Sequence, residues 1–570
     1  MSILFKSRHL GVAALIMGTS VLLSRFMGLI RDMVIGHFYG ASSETDIYFA
    51  SFMVPDFINY LLAGGYFSIT LIPVLSRCFA NNKEDGWKLF SAVFCWVCIF
   101  ILFFTSLAFI FAPQLTHIVA PGFSPEGKER LAFFLRIILP AQAFFLPGAC
   151  LTAILYLRRH FAVPALTPLI YNGAIILFGL LLIKQGMTGF CWGVLIGAFC
   201  GSFVLPLWAV YKGSKQALNA EQNEDITGKF KLSLSFKHPE LKKIVLLALP
   251  LMLGQSMVVL DEQFFRIFGS LAQEGSVSLL NYARRLMQVP VGVVAQAAGV
   301  ASFPFLAHLA ATHNLEKFNQ TLQSALKSVL AVLAPICAFM ILSADPIIQL
   351  IYQHGDFSAQ NSAEAALLLR IMLVGVLFWG VQQLMGRAFY AYENTLTPAL
   401  CGTLITVIFL PVYYFAAQDY GAQGIAGVSV FGVAAYAAIL VATWVRKHGA
   451  RALLGVATHG FAACGLSLAA LLPSTGLFYL CRTQLEQTIP FNLLTLLLCG
   501  TLFSFAYLLI SRALCPAMLE PLAPIGRRME RLGRLGRPFV YLLTTNTPNS
   551  ADNAGNAGKA GNKDSEQCHK

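Results

Sequence analysis

FSPEGKERLAFFLRIIL, residues 123–139, returns at residues 357–373 as FSAQNSAEAALLLRIML, and the two stretches align without a gap. They share Phe123-Ser124 with Phe357-Ser358, Ala132 with Ala366, and Leu135-Arg136-Ile137 with Leu369-Arg370-Ile371. The same offset of 234 residues pairs Tyr156 with Tyr390 and Pro164-Ala165-Leu166 with Pro398-Ala399-Leu400. One offset held from residue 123 to residue 166 is the mark of a duplicated unit. A weaker echo, with different spacings, sets Gly40, Pro55 and Pro73 against Gly269, Pro290 and Pro304.

The duplicated unit belongs in a membrane. The chain of 570 residues is 57% hydrophobic and 12% charged, with mean hydropathy +0.68, too apolar for a soluble protein of this length. Apolar runs of roughly 20 residues suffice to cross a bilayer. Such runs begin near residues 11, 45, 89, 131, 161, 187, 244, 276, 321, 363, 399, 422, 452 and 491, giving about fourteen spans. The repeat carries the fourth and fifth spans onto the tenth and eleventh, an even shift, so direction across the membrane is preserved. The expected fold is an all-α polytopic membrane protein with two six-helix lobes in parallel pseudo-repeat and two added C-terminal helices. The boundaries are residues 1–213 for the first lobe, 214–240 for a basic linker and 241–447 for the second lobe. The added helices occupy 448–515, and a basic amphipathic segment with a disordered tail occupies 516–570. Parallel bundles of this kind are a transporter architecture with the substrate site between the halves. A duplicated channel or membrane enzyme is the alternative.

Loop charge sets the orientation, because Lys and Arg stay on the cytoplasmic side. Lys6 and Arg8, Arg77 to Lys88, Arg158 and Arg159, Lys212 to Lys243, and Arg446 to Arg451 fall on alternate connections. The loops between them, around Ser43, Glu274, Asp356 and Asp419, are neutral or acidic, with Lys128, Arg130, Lys184 and Arg482 as exceptions. Both termini are therefore expected inside, the N-terminus as an uncleaved first helix. The net charge of +13 suits anionic headgroups beside the spans, and nucleic-acid binding is not expected. The thirteen Cys are scattered as small apolar residues, and Cys95 and Cys98 lie in an apolar run with no further ligands. No GxSxG, HExxH or Walker loop occurs, so the reading is a secondary transporter, not an enzyme.

The charges inside the spans are the candidate site. Arg25, Arg31 and Asp32 interrupt the first apolar run, where an isolated charge costs roughly 2.5–3.5 kcal/mol or more. At about 1.5 Å per residue Arg25 lies roughly 22 Å from the cytoplasmic end and Arg31 near the outer boundary. Arg284 and Arg285 lie roughly 13 Å from the outer side on the eighth span. Adjacent helix positions differ by about 100°, so one of the two faces the centre. Asp32, about 10 Å from Arg25 on the same helical face, and Asp46 at the start of the second span are expected to orient the guanidinium groups. Arg forks that never deprotonate suit a phosphate held in a partly dry cavity. Packing by Arg/Asp pairs is the alternative. Asp261 and Glu262 form a second acidic feature, either for a coupling cation or for pairing with Arg266 one turn along.

The stretches SRFMGLIRDMVIGHFYGASSETDIYFASFMVPDF, NYARRLMQVPVGV, YQHGDFSA and AFYAYENTLTP resemble the MurJ (MviN) lipid II flippases of the multidrug/oligosaccharidyl-lipid/polysaccharide (MOP) exporter superfamily, from about residue 11 to 515. The resemblance implies two lobes in a V and a groove for a polyprenyl tail along the last two helices. It implies transfer of undecaprenyl-diphosphate-linked disaccharide pentapeptide, lipid II, from the inner to the outer leaflet of the bacterial cytoplasmic membrane by alternating access. It places Arg25, Arg31 and Arg285 at the diphosphate, Asp32 and Asp46 among the cavity charges, and Asp261 as ligand candidate for sodium. Where relatives carry Arg and Glu on the second span this chain has Asn59 and Gly64, and Gln288 replaces a Glu. The eleventh span lacks the Asn and Asp of a sodium site, which leaves a coupling cation or the membrane potential as the energy source. No resident cofactor is implied. The expected partners are lipid II, the bilayer and the cell-wall synthesis proteins, with the chain a monomer. An exporter of another polyprenyl-linked oligosaccharide and a non-transporting cell-wall scaffold are the competing readings.

Overall fold

A computed structural model describes residues 10–62, 66–219, 230–246, 262–484 and 489–522. The expected amphipathic segment and tail from residue 523 on, Gly64 and Asp261 lie outside the described residues. Described residues form helices and connections only. In the first lobe these are α1 (Leu10–Tyr39), α2 (Ser43–Ala50), α3 (Met53–Leu62), α4 (Tyr66–Asn81), α5 (Lys83–Ile110), α6 (Ala112–Val119), α7 (Pro125–Ile138), α8 (Gln142–Leu157), α9 (Ala162–Leu181), α10 (Thr188–Gly197) and α11 (Leu205–Asn219). The second lobe holds α12 (262–269), α13 (Ser276–Pro290), α14 (Gln296–Ala311), α15 (Leu315–Leu342), α16 (Ala344–Tyr352), α17 (Ala359–Ala391) and α18 (Leu396–His448). Helices α19 (Val456–Gln484) and α20 (Ile489–Leu514) follow.

Helix caps reproduce the repeat. Ser124 accepts from the Gly127 N–H and opens α7, and Ser358 accepts from the Asn361 N–H and opens α17. The α8 and α17 ends, Leu157 and Ala391, are 234 residues apart, as are the α9 and α18 starts, Ala162 and Leu396. Asn82 and Asn314 cap α5 and α15 alike, each accepting a main-chain N–H of the first turn. The duplicated cap residues therefore start and stop equivalent helices.

Among the described residues, ten helical segments are long and apolar enough to cross a membrane. One of them, α18, is broken at Gly421 (φ 57, ψ −139) and folds back, so that the Tyr436 hydroxyl donates to the Pro398 carbonyl at 2.9 Å. The other expected spans, α1, the segmented path α2–α4 and the stretch from residue 241, stand outside those ten. Helices α19 and α20 pack on the second lobe: Tyr507 donates to the Ala331 carbonyl at 3.0 Å, and Phe339 stacks on Phe503. The described part of the linker lies against α5, with Lys231 on Glu84 at 2.9 Å and His238 on Asp85 at 3.2 Å.

Candidate functional site

Both lobes meet at the Tyr39 end of α1. Asp46, 2% exposed on α2, reaches across to the start of α13. Its Oδ1 accepts the Ser278 N–H at 2.7 Å and the Ser278 hydroxyl at 2.6 Å, and its Oδ2 accepts the Gly275 N–H at 2.8 Å. A carboxylate of one lobe thus caps a helix of the other, where the free N–H groups favour negative charge. Around it the Ser43 N–H donates to Glu274 (2.9 Å), the Tyr282 hydroxyl to the Gly40 carbonyl (3.3 Å) and the Asp356 N–H to the His37 carbonyl (2.9 Å). This end is shut. The expectation that Asp46 orients a guanidinium is corrected, since its acceptors are filled by the α13 cap.

One layer in, Asp32 is a shared acceptor, 1% exposed. Arg31 gives Oδ1 two bonds, 3.0 Å from Nε and 2.8 Å from Nη2, and Arg285 gives Oδ2 one from Nε at 2.7 Å. Arg31 also donates to Asn172 on α9 at 3.3 Å. The acid of the first lobe therefore bridges cations of both. Of the adjacent pair on α13, Arg285 faces the centre, while Arg284 stacks on Phe265 at 4.8 Å. Asp32 does not serve Arg25, contrary to the expectation from their shared helical face, because Arg31 and Arg285 occupy both its oxygens.

A second cross-lobe ion pair joins Asp56 on α3 to Arg266 on α12 at 2.8 Å, with Glu262 on the same guanidinium at 3.2 Å. Of the two roles open for the acidic feature on the seventh span, Glu262 takes the pairing with Arg266. Asn59 and Gln288 are half-buried and hold no ion pair.

Arg25 stands apart. Its Nη2 donates to Gln296 Oε1 at 2.7 Å, crossing from α1 to α14. Arg387, on α17, donates to the Gln296 carbonyl at 3.4 Å. The sequence reading did not single out Arg387, Gln296 or Asp56. Each is a polar side chain within an apolar run, the signal that identified Arg25, but none sits in a cluster of charges.

Similarity to known proteins identifies the family and the fold. Residues 35–499 match the family described as "Lipid II flippase MurJ". The probable lipid II flippase MurJ of Buchnera aphidicola subsp. Acyrthosiphon pisum is 27% identical over 70% of this chain and 77% of its own length. The lipid II flippase MurJ of Thermosipho africanus is 26% identical over 75% of this chain and 82% of its own. Among solved structures, a lipid II flippase MurJ in an inward closed conformation superposes with TM-score 0.71 at 23% identity, covering 88% of this chain and 99% of that one. An inward-facing multidrug resistance MATE family transporter of the MOP superfamily superposes with TM-score 0.62 at 15% identity, covering 75% and 95%. The family match spans residues 35–499 and the fold is shared over 88% of the chain, so this chain belongs to the lipid II flippase MurJ family.

Proposed function

We propose that the chain moves lipid II from the inner to the outer leaflet of the bacterial cytoplasmic membrane, with both termini in the cytoplasm and the two lobes opening alternately to each side. The observation that carries this is the meeting of arginines from both lobes beneath a shut Tyr39 end. Positive loops place that end outside, so the cations face a diphosphate arriving from within. Guanidinium forks bind phosphate oxygens in pairs and stay charged in a dry cavity. The tail stays in lipid along α19 and α20. The driving force is a cation gradient or the membrane potential, since no nucleotide motif is present.

Depleting the protein in its host and measuring lipid II exposed on the outer leaflet tests the reading. Exposure is expected to collapse, and Arg25→Ala to fail to restore it. Normal exposure after depletion refutes the function, and loss of a different polyprenyl-linked sugar from the surface favours the exporter alternative.

A further inference from the structure

We infer that Arg25, Gln296 and Arg387 form the seat of the diphosphate, while Arg31 and Arg285 act as the bridge that closes the interface; this rests on the proposed cargo being a diphosphate lipid. The argument starts from how each cation is balanced. Arg31 and Arg285 share Asp32, and Arg266 holds Asp56 and Glu262. Arg25 and Arg387 are held instead by the two oxygens of one neutral residue, and neither forms an ion pair with a described carboxylate. Two like charges converging on an amide are a site for a doubly charged anion.

The helix beneath them is shaped for it. Gly292 in the π-helical turn, Gln296 at the head of α14 and Gly299 in its first turn all lie against these two arginines. A Cβ added at Gly292 would stand 2.6 Å from Arg25 Cζ, and one added at Gly299 would stand 2.6 Å from Arg387 Cζ. Each guanidinium therefore lies flat on a position where any side chain would displace it. The two glycines are about 10 Å apart along the helix, one guanidinium over each, room for a fork on each phosphate of a diphosphate. A π-helical turn from Val291 to Ala295 sets Gln296 at the head of α14, and such turns recur at functional sites. The Gln296 NH2 group remains to donate to a phosphate oxygen. Because Arg25 belongs to the first lobe and Arg387 to the second, the seat is complete only while the lobes meet here.

The test uses the full chain in phosphatidylcholine nanodiscs, with lipid II and inorganic pyrophosphate as probes and binding read by titration. Arg387→Ala and Gly299→Ala are each expected to weaken lipid II at least tenfold, with part of the affinity recovered in Arg387→Lys. Pyrophosphate is expected to compete for the wild type and not for Arg387→Ala. Gly299→Ala keeps a helix-compatible residue, so its melting temperature separates a displaced guanidinium from a misfolded chain. Wild-type affinity in both folded variants overturns the seat while leaving the flippase reading intact. Competition by phosphatidylglycerol vesicles as strong as by pyrophosphate overturns the diphosphate assignment in favour of a general headgroup site. Pyrophosphate binding through Arg387 by a chain that fails to restore lipid II exposure supports the seat and refutes the flippase.

Discussion

Replacing Asp46 by Ala is expected to loosen the shut end of the molecule without unfolding either lobe. The carboxylate accepts three bonds from α13, at 2.6, 2.7 and 2.8 Å; without it the Gly275 and Ser278 N–H groups lose their acceptor, while the Ser278 hydroxyl keeps the Gly275 carbonyl at 3.0 Å. A hydrogen bond to a charged group contributes about 1.5–3 kcal/mol. The three are not additive, since they share one carboxylate and the Ser278 hydroxyl keeps a second acceptor. A net loss of about 3 kcal/mol follows, or roughly a hundredfold in the opening equilibrium. Hydrogen exchange by mass spectrometry on the full chain in nanodiscs reads this directly, because the Gly275 and Ser278 amides are the donors. Their exchange is expected to accelerate about a hundredfold in Asp46→Ala and less in Asp46→Asn, which keeps one acceptor oxygen. Amides within α15, remote from the interface, are expected to keep their rates. Unchanged exchange at Gly275 and Ser278 would refute the reasoning, and equal acceleration throughout the chain would show that the acid stabilises the fold, not the closure.

Asp32→Asn removes the counter-ion shared by Arg31 and Arg285; breaking a buried pair costs about 3–5 kcal/mol, so Tm is expected to fall, with part recovered by adding Arg285→Gln, and no recovery counts against the bridge. Gly40 sits at φ +57 with a Cβ position 2.5 Å from the Asp356 carbonyl oxygen, so Gly40→Ala is expected to destabilise closure by about 1–2 kcal/mol or more from backbone conformation alone, whereas Gly36→Ala, with no contact under 3.6 Å, is expected to be neutral in the same melt. Burial alone would raise the Asp345 carboxyl, but the bonds from Arg482 and Arg370, at 2.8 and 2.7 Å, hold it below the ordinary carboxylate range. A lowered folded-state value gives stability that is complete above the unfolded value of about 3.9 and lost as pH falls through the folded one. Melts between pH 5 and 8 are therefore expected to show a constant Tm difference between wild type and Asp345→Asn, and a difference that vanishes toward pH 5 would contradict the pairing.

The two-lobe architecture was legible because Ser124 and Ser358 cap their helices in the same way and, with the LRI triplets behind them, start and register equivalent helices. The interior charges were legible as exceptions in apolar runs, which exposed Arg25, Arg31, Asp32 and Arg285. Their partnering was not. Helical spacing put Asp32 on the face of Arg25, yet its oxygens are taken by Arg31 beside it and Arg285 across the interface, a pairing that depends on how two lobes dock. Asp46 sits at the start of a span, as its position implied, but its role as a cap for α13 requires the turn at Gly275 to be brought against α2. Arg387 and Gln296 carry no local signal beyond polarity, and their meaning appears only where α1, α14 and α17 converge.

The sharing of Asp32 has an electrical consequence. When the lobes part at that level, Asp32 leaves with Arg31 as a neutral pair, and Arg285 stays on the second lobe with only the more distant Glu262 acting on its charge. An empty molecule that opens gives up this ion pair, whose Arg285 side is already 36% exposed, for a bias of about 1 kcal/mol toward staying shut. An anionic headgroup travelling through the interface supplies the missing charge at the moment it is needed. Electrostatics at this level therefore favours opening with an anionic cargo over opening without one.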